Sequence, residues 1–334
     1  MAAFVSRHIG KERFRMRVLI TGAAGLTGSY LVRHCLEQGD TVVGIDNFFR
    51  GTKENLLEVM GEERFTFYEC DFRDYIKKEQ EVNFDGIYHL AAVVPTRYFY
   101  EEPCLTYEVN CQGTYEIFLW ALKHRIPRFV NASSSEIYGH AKDFPTKETA
   151  PSLYDSVEET TRWSYAHGKI MTEYLLNHHK DEIKVCHLRY ANVYGPYDID
   201  DNHVIPYILN CVAQDKTCHL NVDAKTIARS FLYMEDCAKA TRLAMLRMES
   251  GISYNIGNPE EVTIFELYKI AVEAARDLGL SCHHSMELDI SRPGDPTRRV
   301  LDISRARVHL GYTPEVMLKE GIRRTLEWIV KQRP

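Results

Sequence analysis

The chain has 334 residues, of which 45% are hydrophobic and 26% charged, a composition typical of a soluble globular protein with one large domain and a smaller lobe. Its formal net charge of -6 is spread without a long run of either sign, which argues against nucleic acid or a membrane surface as a partner. The nine cysteines are scattered and never spaced as Cys-x-x-Cys, so we expect free thiols, no bound metal and a cytoplasmic location.

Residues 1–15 are predicted to be an N-terminal extension. They contain Arg7, Lys11, Arg13 and Arg15 and no continuous apolar segment, so they do not have the composition of a secretory signal. The rest of the chain lacks a run of about 18 apolar residues, so we expect no membrane span.

The next part of the chain alternates short apolar runs with segments of helical periodicity. Residues 18–21 predict a first strand that ends at Gly22, and residues 26–38 predict a helix. Further strands are predicted at 41–46, 65–69, 86–90, 128–131 and 183–188, with helices at 105–124 and 162–179. This alternation predicts an α/β protein with a Rossmann-type, doubly wound parallel sheet.

The regular alternation ends near residue 190, where Gly195-Pro196 and Ile205-Pro206 interrupt the pattern. We therefore expect a Rossmann domain and a smaller mixed α/β lobe. The Rossmann domain is predicted over 16–189 with a returning segment at about 230–250, and the lobe over 190–229 and 251–334.

A glycine-rich turn joins the first strand to the first helix, with Gly22, Gly25 and Gly28 spaced as G-x-x-G-x-x-G. Here glycines let a pyrophosphate approach backbone N-H groups at a helix N-terminus, although a tight turn that binds nothing has the same pattern. Asp46 follows at the end of the second strand, close to the spacing expected of the carboxylate that binds ribose hydroxyls. Because a carboxylate would repel a 2′-phosphate, we expect NAD rather than NADP.

Tyr165 and Lys169 are four residues apart on one predicted helix, which places a phenol and an ammonium on the same face. The ammonium would favour the phenolate, so Tyr165 could act as a base. Ser134 and Glu136 follow the fifth strand, at the sheet edge where open α/β sheets bind ligands. Together with the glycine turn, these residues indicate a hydride-transfer enzyme.

Several motifs carry a resemblance to a known family. They are the glycine turn, His-Leu-Ala-Ala at 89–92, the run at 134–139, Tyr165-x-x-x-Lys169 and the segment 189–196. In this order they resemble the extended short-chain dehydrogenase/reductase family of nucleotide-sugar epimerases, dehydratases and decarboxylases, over about residues 16–330. The resemblance implies that Tyr165 takes the proton from a sugar C4 hydroxyl, that Lys169 assists and binds the nicotinamide ribose, and that Ser134 hydrogen-bonds O4.

The resemblance also implies two sets of binding residues. The NAD site would contain Gly22, Gly25, Leu26, Thr27, Gly28, Asp46, Asn47, Asp71, Phe72, Leu90, Ala91, Ala92, Asn110, Tyr165 and Lys169. The site for a nucleotide sugar, expected to be UDP-linked, would contain Ser134, Ser135, Asn192, His203, Val204, Arg229, Arg292 and Asp295. In that set, Asn192, Arg229 and Arg292 would contact the diphosphate.

The resemblance leaves the reaction open. Glu136 resembles an acid of the GDP-mannose 4,6-dehydratases and UDP-glucuronate decarboxylases, whereas 202–206, 229–233 and 292–295 resemble UDP-hexose epimerases. The sequence narrowly favours C4 epimerisation of a UDP-hexose or UDP-hexuronate, with dehydration or decarboxylation through Glu136 as the alternative. A net dehydrogenase and a regulatory module that binds dinucleotide without turnover are further alternatives.

The resemblance implies a homodimer, because family members commonly pack the helix of the Tyr-Lys pair and the preceding helix into a four-helix bundle. The apolar candidates for this surface are Tyr107, Tyr115, Phe118, Leu119, Met171 and Leu175. A role for the same side chains in the core is equally compatible with their spacing.

Overall fold

The computed structural model describes residues 15–78, 82–198, 203–280, 285–290 and 296–332. The strands within these ranges are β1 (Arg17–Thr21), β2 (Thr41–Asp46), β3 (Phe65–Glu69), β4 (Gly86–His89), β5 (Arg128–Ser134), β6 (Lys184–Tyr190), β7 (Asn192–Tyr194), β8 (Cys218–Asn221), β9 (Ala228–Tyr233), β10 (Ile252–Ile256), β11 (Glu261–Thr263), β12 (Met286–Ile290) and β13 (Arg298–Arg299). The helices are α1 (Leu26–Glu37), α2 (Phe72–Lys77), α3 (Arg97–Glu101), α4 (Pro103–Tyr107), α5 (Thr114–Lys123), α6 (Ser164–Asn177), α7 (Val204–Ala213), α8 (Met234–Arg247), α9 (Ile264–Asp277) and α10 (Leu318–Lys331).

The central sheet has seven parallel strands in the order β10-β6-β5-β4-β1-β2-β3. This confirms the predicted α/β fold with a Rossmann-type sheet. The chain proceeds from β1 towards β3 on one side and from β4 towards β10 on the other, so the strand order reverses between β1 and β4. Ligands of such sheets bind beyond the carboxyl ends of the strands at that reversal.

The segment that returns to the central sheet is longer than the sequence indicated. Helix α8 packs against α1, and β10 then pairs with β6 along residues 252–256, beyond the predicted end near 250. The sequence analysis assigned residues 251–334 to the lobe and predicted no strand here, and Ser253 and Asn255 break the apolar pattern of this segment. Both side chains are buried and hydrogen-bonded, which is how a central strand accommodates them.

The lobe has its own hydrophobic core. Strands β7, β9, β11 and β13 form a mixed sheet, while β8 and β12 form a parallel pair. Helices α7, α9 and α10 bury Ile208, Leu267 and Leu326 in this core. No helix in the described ranges combines the length and the apolar character that crossing a bilayer requires.

Candidate active site

A cleft of about 950 Å³ lies beyond the carboxyl ends of the central strands, with the lobe on its other side. The predicted site residues that line it are Gly22, Gly25, Leu26, Thr27, Gly28, Asp46, Asn47, Asp71, Phe72, Leu90, Ala91, Ala92, Ser134, Glu136, Tyr165, Lys169, Asn192, His203, Val204 and Arg229. Asn110 and Ser135 are buried outside this lining. Arg292 and Asp295 lie outside the described residues.

The glycine turn after β1 brings bare backbone to the cleft. Gly22 has a φ of +70°, and a Cβ on Gly28 would lie 1.9 Å from the Gly22 carbonyl oxygen, so both positions require glycine. Gly25 is the N-cap of α1, and no side chain caps this helix. Its first N-H groups therefore face the cleft without a side-chain partner, which fits the predicted binding of a dinucleotide pyrophosphate.

Asp46 ends β2 at the edge of the cleft and is partly engaged by the backbone. Its Oδ2 accepts a hydrogen bond from the Ala24 N-H at 2.9 Å, and its Oδ1 accepts one from the Phe48 N-H at 2.8 Å. Burial raises the pKa of Asp46, and these hydrogen bonds oppose that effect. Because each carboxylate oxygen has two lone pairs, Asp46 can still accept hydrogen bonds from ribose hydroxyls.

Asn110 holds the loop that follows β4. It belongs to a π-helical turn, Glu108–Gly113, that interrupts the helix predicted over 105–124. Its side chain accepts from the Val93 N-H at 2.7 Å and donates to the Val93 carbonyl at 2.8 Å. The contacts of Asn110 therefore shape the cleft wall formed by residues 90–94, while direct contact with the cofactor stays a prediction.

Tyr165 faces the cleft from the first turn of α6. Its ring stacks on Phe99, with 4.6 Å between the ring centroids and 16° between the planes. Burial, and after it the charge of Glu136, raises the pKa of Tyr165, while a hydrogen bond from Ser134 lowers it. The phenol is therefore protonated at neutral pH until further positive charge arrives in the cleft.

Lys169 lies beside the Tyr165 ring, as the four-residue spacing predicted. Its Nζ is 5.7 Å from the ring centroid and donates a 2.7 Å hydrogen bond to the Ala132 carbonyl. Burial lowers the pKa of Lys169 to about 8. We refer to Ser134, Tyr165 and Lys169 together as the hydroxyl cluster.

Glu136 is held between Arg162 and Arg299, which the sequence analysis did not identify. The Glu136 Oε2 atom lies 3.0 Å from Arg162 Nη1, and its Oε1 atom lies 2.6 Å from Arg299 Nη1. We refer to Glu136, Arg162 and Arg299 together as the arginine cluster. Although burial opposes the effect, Arg299 and Arg162 lower the pKa of Glu136 to about 2. One carboxylate therefore contacts two guanidinium groups in this cluster.

Arg299 has an unused hydrogen-bond donor. Its Nη2 is buried, and among the described residues no acceptor contacts it. A buried donor without a partner is costly, so this atom is suited to an acceptor that a ligand supplies.

The lobe contributes polar residues to the opposite wall. Arg229 donates to the carbonyls of Ala228 at 2.9 Å and Pro296 at 2.5 Å. His203 lies 3.2 Å from Asp198 and 3.4 Å from Arg50, which comes from the Rossmann domain. This contact joins the two sides of the cleft next to the uncapped N-terminus of α7.

No metal was predicted, and the described residues contain one group of possible metal ligands, His219, Glu287 and Asp289. His219 faces Glu287 across the paired strands β8 and β12. Its Nδ1 is 2.7 Å from the Asp289 carboxylate, which is a hydrogen-bonding distance.

Comparisons with known proteins agree with this geometry. A family model described as the NAD dependent epimerase/dehydratase family matches residues 18–257. UDP-glucuronic acid decarboxylase 1 of Arabidopsis thaliana is 33% identical over 322 residues, covering 95% of this chain and 70% of the relative.

Two solved structures are similar over nearly their whole length. UDP-glucose 4-epimerase of Thermotoga maritima, with UDP-glucose, is 28% identical with a TM-score of 0.83, covering 95% of this chain and 99% of that chain. UDP-glucuronic acid 4-epimerase of Bacillus cereus, in complex with UDP-glucuronic acid and NAD, is 27% identical with a TM-score of 0.82, covering 95% and 100%.

Proposed function

The chain belongs to the NAD dependent epimerase/dehydratase family, and we propose that it decarboxylates a UDP-linked hexuronate after transient oxidation at the sugar C4. Its relatives are enzymes that act on nucleotide sugars. The arginine cluster beside the hydroxyl cluster is the observation that carries the choice of sugar and reaction.

NAD is the cofactor of this family, and the glycine turn, Asp46 and the 90–94 loop would hold it. When bound, NAD supplies an acceptor for the C4 hydride and later returns it. Its cationic ring is also the added positive charge that would favour the Tyr165 phenolate.

The hydroxyl cluster would handle the proton at O4. Tyr165 Oη takes the proton of the C4 hydroxyl as oxidation proceeds, and Ser134 hydrogen-bonds the same oxygen. Lys169 adds a positive charge beside the phenol ring. A tyrosine whose pKa is raised by burial is a strong base once ionised, and it returns the proton when C4 is reduced again.

The arginine cluster supports a substrate with a carboxylate at C6. A guanidinium group binds carboxylate oxygens through charge-assisted hydrogen bonds, and Arg299 Nη2 is a buried donor that has no acceptor within the described ranges. Oxidation at C4 makes such a substrate a β-keto acid, so the C5-C6 bond can break with release of CO2. The electron pair passes to the C4 oxygen, where Tyr165 and Ser134 stabilise the developing charge. The enolate so formed takes a proton from solvent at C5, which restores the C4 ketone before it is reduced again.

The same cluster argues against 4,6-dehydration. That reaction requires a base for the C5 proton and an acid for the departing C6 hydroxyl. A carboxyl group whose pKa is held at about 2 by two arginines is a weak base and stays ionised near neutral pH. Loss of CO2 requires neither step, because CO2 leaves without a proton and solvent supplies the proton that C5 gains.

Product analysis tests this proposal. The purified enzyme is incubated separately with UDP-glucuronate, UDP-glucose and dTDP-glucose, and the sugar products are identified by NMR. We expect CO2 and a UDP-pentose from UDP-glucuronate alone, and a lower yield of this product in Arg299→Gln. A deoxysugar from either hexose, or no product from any substrate, would contradict the proposal.

C4 epimerisation of a UDP-hexuronate, which is within the reaction that the sequence favoured, is the second candidate. Arg162 and Arg299 could equally hold a carboxylate that is retained, and the similar Bacillus cereus enzyme is a UDP-glucuronic acid 4-epimerase. A product with an inverted C4 and an intact carboxylate would establish this reaction instead.

We also propose a homodimer built on α5 and α6. Among the candidate surface residues, Tyr107, Leu119 and Met171 are exposed, whereas Phe118 is fully buried in the core. Sedimentation equilibrium would show twice the 38.7 kDa chain mass, and Met171→Glu should weaken the association. The cytoplasmic location stays a prediction.

A further inference from the structure

Helix α6 carries a third buried polar residue on the face of Tyr165 and Lys169. Glu173 follows Lys169 by four residues, so the three side chains are aligned along one face of the helix. Tyr165 and Lys169 line the cleft, whereas Glu173 lies beneath it among the strands of the central sheet.

The Glu173 carboxylate connects the helix to three strands. Its Oε1 accepts from Ser133 Oγ in β5 at 2.6 Å and from Arg189 Nε in β6 at 3.0 Å. Its Oε2 accepts from Arg189 Nη2 at 2.6 Å and from Ser253 Oγ in β10 at 3.0 Å. Four hydrogen bonds therefore fix the position of α6 over the sheet.

The same network reaches the turn that bears the other site residues. Arg189 Nη1 donates to Tyr138 Oη at 3.0 Å and to the Glu148 carbonyl at 2.7 Å. Tyr138 ends the turn that contains Glu136, and Ser133 precedes Ser134 in β5. Glu173 is thus connected to both sides of the hydroxyl cluster.

We propose that Glu173 is a positioning residue, which sets Tyr165 and Lys169 against Ser134 and whose negative charge keeps Lys169 protonated. The inference rests on the roles proposed above for Tyr165 and Lys169. Stability alone would not require this arrangement, because a buried ion pair is often matched by apolar side chains of similar volume.

The surroundings of Lys169 show why a nearby charge matters. Burial lowers the pKa of Lys169 to about 8, while Cys111 and Glu173 raise it. Cys111 comes from the π-helical turn, His89 faces Lys169 from β4, and the Ala132 carbonyl accepts its hydrogen bond. Among these neighbours Glu173 is the one carboxylate, so its removal should bring the deprotonation of Lys169 towards neutral pH.

The test compares Glu173→Gln with Ser253→Ala in the full-length holoenzyme. The second substitution removes one hydrogen bond to the same carboxylate and leaves its charge in place. Two readouts are followed: the pH dependence of kcat/KM and the titration of Lys169 by NMR of lysine labelled at Cε, assigned with Lys169→Arg.

In Glu173→Gln we expect the basic limb of kcat/KM and the Lys169 titration to move down by about half a pH unit or more. We also expect kcat to fall by about tenfold to a hundredfold because the reacting groups are displaced, with KM little changed. In Ser253→Ala the midpoints of the basic limb of kcat/KM and of the Lys169 titration should stay at their wild-type pH.

Unchanged midpoints in a folded Glu173→Gln protein would overturn the inference and leave Glu173 a structural residue. If that variant does not fold, Glu173→Asp decides: retained midpoints with lower kcat support the inference, and unchanged kcat refutes it. If the wild-type enzyme turns over no sugar nucleotide, the proposed function fails, while the Lys169 titration still decides the charge effect.

Discussion

The hydroxyl cluster and the arginine cluster are adjacent but are built on different physical principles. The hydroxyl cluster joins one helix and one strand end, and it depends on the position of a phenol whose pKa is raised by burial. The arginine cluster gathers three separate segments, and it depends on charge, with a carboxyl pKa of about 2. The hydroxyl cluster suits oxidation at C4 of any nucleotide sugar, whereas the arginine cluster suits sugars that carry a carboxylate at C6.

Tyr165→Phe should have the largest effect, because it removes the base and leaves the ring stacked on Phe99. We expect kcat to fall by about 10²- to 10⁴-fold with every nucleotide sugar that the enzyme accepts. Steady-state kinetics at saturating NAD measure this loss. A near-wild-type kcat in this variant would mean that Tyr165 is not the base. The hydroxyl cluster would then have no separate role in the oxidation at C4.

Acid should destabilise the support beneath the hydroxyl cluster. Although burial opposes the effect, Arg189 lowers the pKa of Glu173 to about 2 from 4.5. A carboxyl with a depressed folded pKa contributes stability above pH 4.5 that is lost as pH falls towards 2, here about 3 kcal/mol. Urea unfolding across this window should show the loss in wild type and a flatter dependence in Glu173→Gln. If the free energy of unfolding depends equally steeply on pH in the variant, the loss arises from groups other than Glu173.

Arg299→Gln tests the arginine cluster against a neighbouring arginine. Loss of a charge-assisted contact should lower kcat/KM for a UDP-hexuronate by about tenfold to a hundredfold. Arg298→Gln is the matched control, because Arg298 pairs with Glu261 on the surface. Equal effects of the two substitutions would mean that the cluster does not recognise the sugar.

The smallest effect is expected at Glu320, which two arginines also hold. Arg323 and Arg324 lower the pKa of Glu320 to about 2, but this pair lies on the exposed face of α10. Glu320→Gln should change the free energy of unfolding by less than about 0.5 kcal/mol and leave turnover unchanged. A larger effect in thermal or urea unfolding would show that the exposure of Glu320 does not make its contribution to stability small.

The two clusters also differ in how far the sequence could predict them. Tyr165, Lys169 and Ser134 were found because one helix spacing and one strand end place them in the cleft. Arg162 and Arg299 are distant in sequence from Glu136, and a single arginine in a sequence indicates only a surface charge. Their burial depends on how β13 and the start of α6 meet the turn after β5, which no local pattern specifies.

Among the predicted binding residues too, some follow from a local sequence pattern and others depend on the tertiary structure. The glycine turn and Asp46 could be identified because they follow regular strands, and the structure places them at the strand ends. Asn110 was assigned to the cofactor by resemblance, which stays a prediction, and the structure adds that its amide is hydrogen-bonded to the Val93 backbone. The sequence could not reveal this because the π-helical turn that directs Asn110 inward reads as ordinary helix.

The central claim is that C4 is oxidised and then reduced again within one catalytic cycle while the C6 carboxylate is lost. It is tested most directly with UDP-glucuronate deuterated at C4, followed by mass spectrometry and NMR of the product. The account predicts a UDP-pentose that retains deuterium at C4. A UDP-pentose without the label, or a product that still carries its carboxylate, would contradict it.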